Sequence, residues 1–424
     1  MSTGLTPDLG DPAVLARLFA PAAARRAIGL AVSGGADSLA LMLLARRWAA
    51  TLTMSPRIVV YSLDHGLRPE AADEVTMVLG VARDLGLEAR NLVWSGPKPQ
   101  SGLQEAARQA RYSLIGDAMA KDGVDLLLTA HHRSDQAETV LMRLAHGSGL
   151  EGLRGMTALA LVENVEVFRP LLEVEPAILA ALVADAGLTP AQDPSNDDPG
   201  YERVRWRRLL PVLAEEGLDS GVLARFAARM AEADNAMTKM TEAAFAELVT
   251  LDGFGAASLS HASLEALGPA IGRRVLSRIL NIVGGRQKPR ALGQVERLYE
   301  QIREGDLPRS TTLLGAVLRL RNNNLVVSRE PGRSLPSDEN VPPSGNLVWD
   351  QRFLITNISG VAGFVAGATD FMPRHRLEDF LGFKVTTPAE AIRTTPVVRD
   401  AEGKVLALGS WSFDDRIRVE LLID

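Results

Sequence analysis

The chain has 424 residues, with 46 Lys and Arg against 52 Asp and Glu, a net charge of −6 and no cysteine. That length exceeds one ordinary core and predicts two or three domains, each with enough apolar content to bury its own interior. The lack of cysteine excludes disulfides, cysteine zinc sites and thiol or persulfide chemistry. No apolar run approaches membrane-spanning length and no basic segment with an apolar core opens the sequence, so the expectation is a cytoplasmic protein without membrane association.

The first strand signal, residues 28–32, leads into Ser33-Gly34-Gly35-Ala36-Asp37-Ser38 and then a helical run over 38–47. Two glycines let a backbone approach an oxyanion closely, and the amides of such a loop and of the first helical turn present unpaired hydrogens to it. An anion is the expected guest. A Walker loop would end in Lys followed by Ser or Thr, and a dinucleotide fingerprint would need a third glycine, so neither describes this loop. The pattern Ser-Gly-Gly-x-Asp-Ser resembles the PP-loop of the ATP pyrophosphatase superfamily. That resemblance implies binding of the pyrophosphate of ATP and attack at the α-phosphate, leaving an adenylated intermediate.

Further strand signals at 57–64, 89–94, 125–130 and 165–171 alternate with helical periodicity over 71–85, 103–121 and 134–146. The alternation predicts an α/β fold built on a doubly wound parallel sheet, with ligands beyond the carboxyl ends of its strands. Leu63-Asp64-His65-Gly66-Leu67-Arg68 ends the second strand. Asp64 there could accept from a ribose or an adenine amine, or simply cap the loop that follows, and Arg68 could reach a phosphate. Thr129-Ala130-His131-His132 leads into the helix of Asp135 and Glu138, with Ser134 as the expected N-cap. These two acids share one face of the first turn and could hold a divalent cation or an amine, or merely favour the helix dipole. Zinc on the two histidines is disfavoured, because adjacent residues at a strand end point in opposite directions. Magnesium bridging ATP phosphates is the better metal expectation.

Beyond residue 193 the character changes. A basic helical run covers 201–216, helical patterns follow at 222–249, 271–282 and 292–304, and short strands at 316–321 and 324–329. The Pro-, Ser- and Gly-rich stretch 332–345 reads as a linker. A small β-rich module then takes in 354–358, 397–398 and 405–408. The expected division is therefore an ATP-binding catalytic domain over 1–215, a mostly helical domain over 216–332 and a small C-terminal domain over 333–424.

Taken together, "SGGADS", "LDHGLRPEA", "GLQEAARQARYSLI", "TAHHRSDQAETVLMRLAHGSGLEGLRGM", "FRPLLEV" and "DPSNDDPGYERVRWRRLLP" resemble the tRNA(Ile)-lysidine synthases. The resemblance is weaker after residue 215 and faint over the last ninety or so residues. It implies ATP-dependent joining of free L-lysine to C2 of the wobble cytidine in the CAU anticodon of tRNA(Ile), through an adenylated tRNA, with release of pyrophosphate and AMP. On that reading Ser33, Gly34, Gly35, Ala36, Asp37 and Ser38 hold the pyrophosphate, with Asp37 nearest Mg2+. Asp64, Arg108 and His131 contact the nucleotide, Arg111 the α-phosphate, and Asp135 and Glu138 serve lysine or the metal. A solvated basic face remains the plain alternative for Arg108 and Arg111.

Arg203-Val204-Arg205-Trp206-Arg207 stands where the family pattern reads Arg-Asn-Arg-Ile-Arg, keeping three arginines that, with Arg68, are the tRNA-contacting candidates. Arg203, Arg205 and Arg207 could equally belong to a helix that joins domains. Monomer and homodimer are both open. Thiolating relatives would need cysteines, and glutamine-dependent synthetases a glutaminase. Another PP-loop ligase acting on a small molecule, and a non-catalytic nucleotide- or RNA-binding module, remain as alternatives. Recognition of the tRNA acceptor end is the role expected of residues 333–424. Deleting them should weaken tRNA binding in a filter-binding titration, and an unchanged dissociation constant would remove that role.

Overall fold

The computed structural model describes residues 8–67, 70–96, 98–99, 101–191, 198–285, 292–332, 334–369 and 372–423. The chain divides into two compact units, Met1–Asp234 and Asn235–Asp424. No helix among the described residues is long and apolar enough to cross a membrane.

The first unit runs α1 (Pro12–Leu18), β1 (Ala27–Ala31), α2 (Ala36–Ala50), β2 (Arg57–Asp64), α3 (Ala71–Asp84), β3 (Glu88–Val93), α4 (Leu103–Asp122), β4 (Leu126–Leu128), α5 (Arg133–Ala145), α6 (Leu150–Leu153), β5 (Leu159–Val162), β6 (Val165–Phe168), α7 (Pro176–Asp185), α8 (Glu202–Glu215) and the start of α9 (Ser220–Leu248). Its sheet has the order β3-β2-β1-β4-β6-β5. All neighbours pair in parallel except β5, which folds back on β6 as an antiparallel edge. That hairpin was not expected. It turns on Glu163 and Asn164 with φ of 46° and 66°, the left-handed pair that two-residue hairpins demand.

Both faces of the sheet are covered. On one, Ile28, Leu30 and Val60 pack against Leu39, Met42, Leu44 and Trp48 of α2, and Trp48 stacks on Phe19 at 5.0 Å. On the other, Val59, Tyr61 and Leu127 meet Tyr112, Ile115 and Met119 of α4. This explains why β1 and β4 read as unbroken apolar runs, as strands buried on both faces do. Each large side chain so buried contributes about 1.5–3 kcal/mol.

In the second unit, β7 (Thr250–Leu251), β8 (Ala257–Ser260), α10 (His261–Ala266), α11 (Gly268–Gly284), α12 (Leu292–Arg303), β9 (Thr311–Leu313), β10 (Ala316–Arg321) and β11 (Asn324–Arg329) build a five-stranded sheet of order β7-β8-β11-β10-β9. Val275, Leu276, Ile279 and Leu280 of α11 share one core with Leu318, Leu325 and Val327 of that sheet. The remaining elements are β12 (Glu339–Val341), β13 (Gly345–Trp349), β14 (Phe353–Asn357), β15 (Phe364–Ala368), α13 (Arg374–Leu381), α14 (Ala389–Arg393), β16 (Pro396–Arg399), β17 (Val405–Leu408), β18 (Trp411–Ser412) and β19 (Ile417–Leu421). The stretch expected to be a linker thus contains β12, which pairs with β15. Strands of two to four residues leave too short an alternation to be read in advance.

Gly29 in the centre of β1 leaves room for the Tyr61 ring: a Cβ there would lie 2.7 Å from Tyr61 Cε2 and 3.3 Å from Leu127 Cδ1. Gly29→Ala should cost about 1–3 kcal/mol by overpacking and lower Tm by several degrees in a thermal melt. An unchanged Tm would mean that the ring moves freely.

Candidate active site

The carboxyl ends of β1, β2 and β4 frame a crevice of about 370 Å³. Its floor is the turn from β1 into α2. Ser38 Oγ donates to Gly35 O at 2.9 Å and accepts from Ser33 N at 3.2 Å, so the turn is braced from within. Gly34 takes φ of +91°, and its carbonyl accepts from Ala191 N at 2.9 Å. A Cβ on Gly34 would press on Met77, which places this residue on the far side of the turn from the crevice. Gly35, the N-cap of α2, provides no side-chain cap, so the first-turn amides have no side-chain acceptor and favour an anion. Ser33, Gly35, Asp37 and Ser38 line the crevice, whereas Gly34 and Ala36 shape the turn without lining it.

Opposite lies the start of α5. Its N-cap is His132, not Ser134: His132 Nδ1 accepts from Asp135 N at 3.3 Å, and Asp135 Oδ2 accepts from His132 N at 3.0 Å. A reciprocal capping box therefore opens the helix. With Nδ1 accepting, the ring proton belongs on Nε2, which lies 3.4 Å from Asp37 Oδ2. Burial lowers the affinity of this ring for a second proton, but Asp37, Asp135 and Glu138 outweigh burial and raise its pKa above 6.5. His131 differs. Burial takes its pKa down to about 4 against the opposing pull of Asp135, with Arg169, Arg203 and Arg108 adding to the fall. Its Nδ1 lies 2.9 Å from Thr129 Oγ1. Both histidines border the crevice, and His132 also borders a cavity with Ser134 and Glu138 that His131 does not reach.

Four arginines complete the wall. Arg108 and Arg111 come from α4, with Arg108 over the Tyr112 ring and Arg111 Nη2 3.3 Å from His65 Nε2. Arg203 and Arg207 come from α8, where a spacing of four places them on one face. Between these two lies Glu138, with no solvent exposure: Arg203 Nε donates to Oε2 at 2.9 Å and Arg207 Nε to Oε1 at 2.7 Å. Glu138 sits behind the crevice wall, while Asp135 lines it. Arg205 turns the other way and donates to Pro199 O and Gly200 O. Asp64 does not line the crevice; its Oδ1 accepts from Gly66 N at 2.7 Å, the loop-capping alternative. Arg68 lies outside the described residues.

A second cavity of about 500 Å³ adjoins the first, and Arg108, His131 and Arg203 belong to both walls. Arg143, Arg154 and Arg169 add three more guanidinium groups. Arg169 is nearly fully buried, donates to Thr157 O at 2.8 Å and leaves its Nε without a partner among the described residues. Sequence reasoning passed over these three and weighed His132 only as a disfavoured zinc ligand. Arg169 stands inside the quoted run "FRPLLEV", where a charge amid apolar residues was the available signal.

This arrangement, a Gly-Gly phosphate cradle with an acid in the following turn at the carboxyl edge of a parallel sheet, defines a PP-loop nucleotide site. Residues 12–213 match the family model described as a PP-loop domain. Among curated proteins, the tRNA(Ile)-lysidine synthase of Rhodopseudomonas palustris is 45% identical over 75% of this chain and 94% of its own length. Those of Bradyrhizobium sp. (42%, over 78% and 99%) and Bradyrhizobium diazoefficiens (40%, over 76% and 95%) are similar. The chain belongs to the tRNA(Ile)-lysidine synthase family, whose members are ATP-dependent ligases.

The low pKa of His131 has a stability consequence. As pH falls through 6.5 the unfolded chain takes up a proton that the native ring refuses until about pH 4, so this site destabilises the fold across that window by about 1.4 kcal/mol per pH unit. His131→Asn should therefore flatten the fall in Tm between pH 6.5 and 4. A parallel fall in variant and wild type would show that His131 does not titrate so.

Proposed function

We propose that the protein joins L-lysine to C2 of the wobble cytidine of tRNA(Ile) bearing CAU, through an adenylated tRNA. The observation that carries this reading is the pair of adjoining cavities: one built on the phosphate cradle, the other ringed by arginines, with His131, Arg108 and Arg203 common to both. Such a pair suits a reaction between two phosphate-bearing substrates that must meet at one wall.

ATP occupies the first cavity, its pyrophosphate against the Ser33–Ser38 turn and its α-phosphate facing Arg108 and Arg111. The cytidine O2 attacks the α-phosphorus, the bond to the bridging oxygen of pyrophosphate breaks, and AMP remains on O2. The lysine amine then attacks C2, and AMP leaves with that oxygen. The guanidinium groups and first-turn amides neutralise charge that develops on the phosphates. Asp135, whose Oδ1 makes no hydrogen bond among the described residues and lies 3.7 Å from the nearest Arg207 nitrogen, receives the ammonium and the proton that its attack releases. His132, held between Asp135 and Asp37, fixes the distance between the two acids.

Asp37 is the metal candidate. Its carboxylate is 41% exposed in the crevice, and no cluster of three or more His, Asp or Glu capable of holding a metal alone occurs among the described residues. That donor set fits Mg2+, which commonly takes one or two carboxylates together with substrate phosphates and would supply charge neutralisation to the triphosphate.

Adding unmodified tRNA(Ile) to protein, ATP and lysine should release pyrophosphate. Release without tRNA, or with tRNA of any anticodon, would overturn the reading. Asp37→Ala should abolish that release while leaving the dissociation constant for tRNA within about twofold; retained release would remove Asp37 from the metal and phosphate site.

A further inference from the structure

Glu138 is the most deeply buried acid beside the crevice, and both its oxygens are taken. Arg203 Nε meets Oε2 at 2.9 Å, Arg207 Nε meets Oε1 at 2.7 Å and Arg207 Nη2 meets Oε2 at 3.3 Å. Arg203 Nη2 is tied to Thr139 Oγ1 at 3.2 Å as well. A carboxylate so placed has no exposure through which to meet a substrate amine, and transferring its hydrogen bonds to one would leave two guanidinium groups uncompensated. The arginines themselves are different: their side chains are 40% and 46% exposed. Nη1 of each has no partner among the described residues, and both side chains line the crevice.

We infer that Glu138 is a positioning residue, which holds Arg203 and Arg207 as a fixed pair of anion-binding forks for the phosphates of the nucleotide and does not touch lysine. Three features support it. The fork geometry uses the inner edge of each guanidinium and leaves outer N–H groups for a ligand, which suits phosphate recognition. The buried anion offsets the repulsion of two cations that would otherwise swing apart into solvent. And although Trp206, Leu210 and Leu213 seat α8 against Ala137, Val140 and Leu141 of α5, that apolar seat places the helix and not the guanidinium groups, whose hydrogen bonds run to Glu138 and to Thr139 beside it.

The inference rests on the adenylation reading, and the test separates the two. Pyrophosphate release from tRNA and ATP is measured with lysine omitted, and the lysine KM is measured in full turnover. Glu138→Gln, which keeps the shape and halves the acceptor capacity, should slow release at least tenfold and leave the lysine KM within twofold, with Tm lowered and the fold retained. Arg207→Lys, which keeps the charge but loses the fork, should do the same and serves if Glu138→Gln does not fold. Release within twofold of wild type together with a lysine KM raised tenfold or more would overturn the inference and make Glu138 a lysine ligand. If wild-type protein itself releases no pyrophosphate without lysine, the adenylated intermediate fails, and the ATP dissociation constant of Glu138→Gln then decides: a tenfold rise supports positioning, and an unchanged value refutes it.

Discussion

The crevice depends on β1, β2 and β4 running the same way. Parallel strands deliver their carboxyl ends to a single edge, and in the order β3-β2-β1-β4-β6-β5 the connections depart to opposite sides of β1. A gap between diverging loops follows from that reversal. The phosphate turn after β1, the His65 loop after β2 and the double histidine after β4 meet there because the sheet leaves them no other place. Its rigidity comes from apolar packing on both faces, so the site stands on the least deformable part of the unit.

Upon that edge the polar groups form a chain of mutual constraint. Asp37 faces His132, His132 and Asp135 cap each other, and the arginines beside Asp135 are held from behind by Glu138. The three acids stand in distinct settings: Asp37 open to the crevice, Asp135 partly covered and shared with a helix start, Glu138 wholly enclosed. Three chemically similar side chains thus meet three different surroundings: the His132 ring at an open crevice, the backbone of a helix start, and a pair of guanidinium groups.

How much of this was legible in the sequence follows from how local each signal was. The phosphate turn was readable because glycine pairs, a strand and a helix lie within a few residues of one another. Strands β1, β2 and β4 were readable because burial writes long apolar runs, and α2 to α5 because their periodicity is long; the shorter α1, α6 and α7 were not anticipated. The β5–β6 hairpin was not, since Glu-Asn is a weaker turn signal than Asn-Gly. Nor was the His132 cap, because histidine is an uncommon N-cap and Ser134 offered the usual chemistry two residues later. For Asp64 the sequence favoured nucleotide contact and kept loop capping as the alternative, and the bond to Gly66 N displays that alternative. The pairing of Glu138 with Arg203 and Arg207 spans 65 and 69 residues, and nothing in either segment alone specifies which face of α8 turns inward.

The capping box has a consequence for how the molecule can come apart. Helix ends fray first in most proteins, because their terminal amides rely on water or on an isolated side chain. In α5 the end is closed by a ring that also belongs to the crevice wall, and the acid that closes it in return belongs there too. Opening the first turn of α5 would dismantle the site, and any ligand held against Asp37 and Asp135 would resist that opening. The shape of the crevice and the integrity of this helix start are therefore a single cooperative property, held by one ring and one carboxylate.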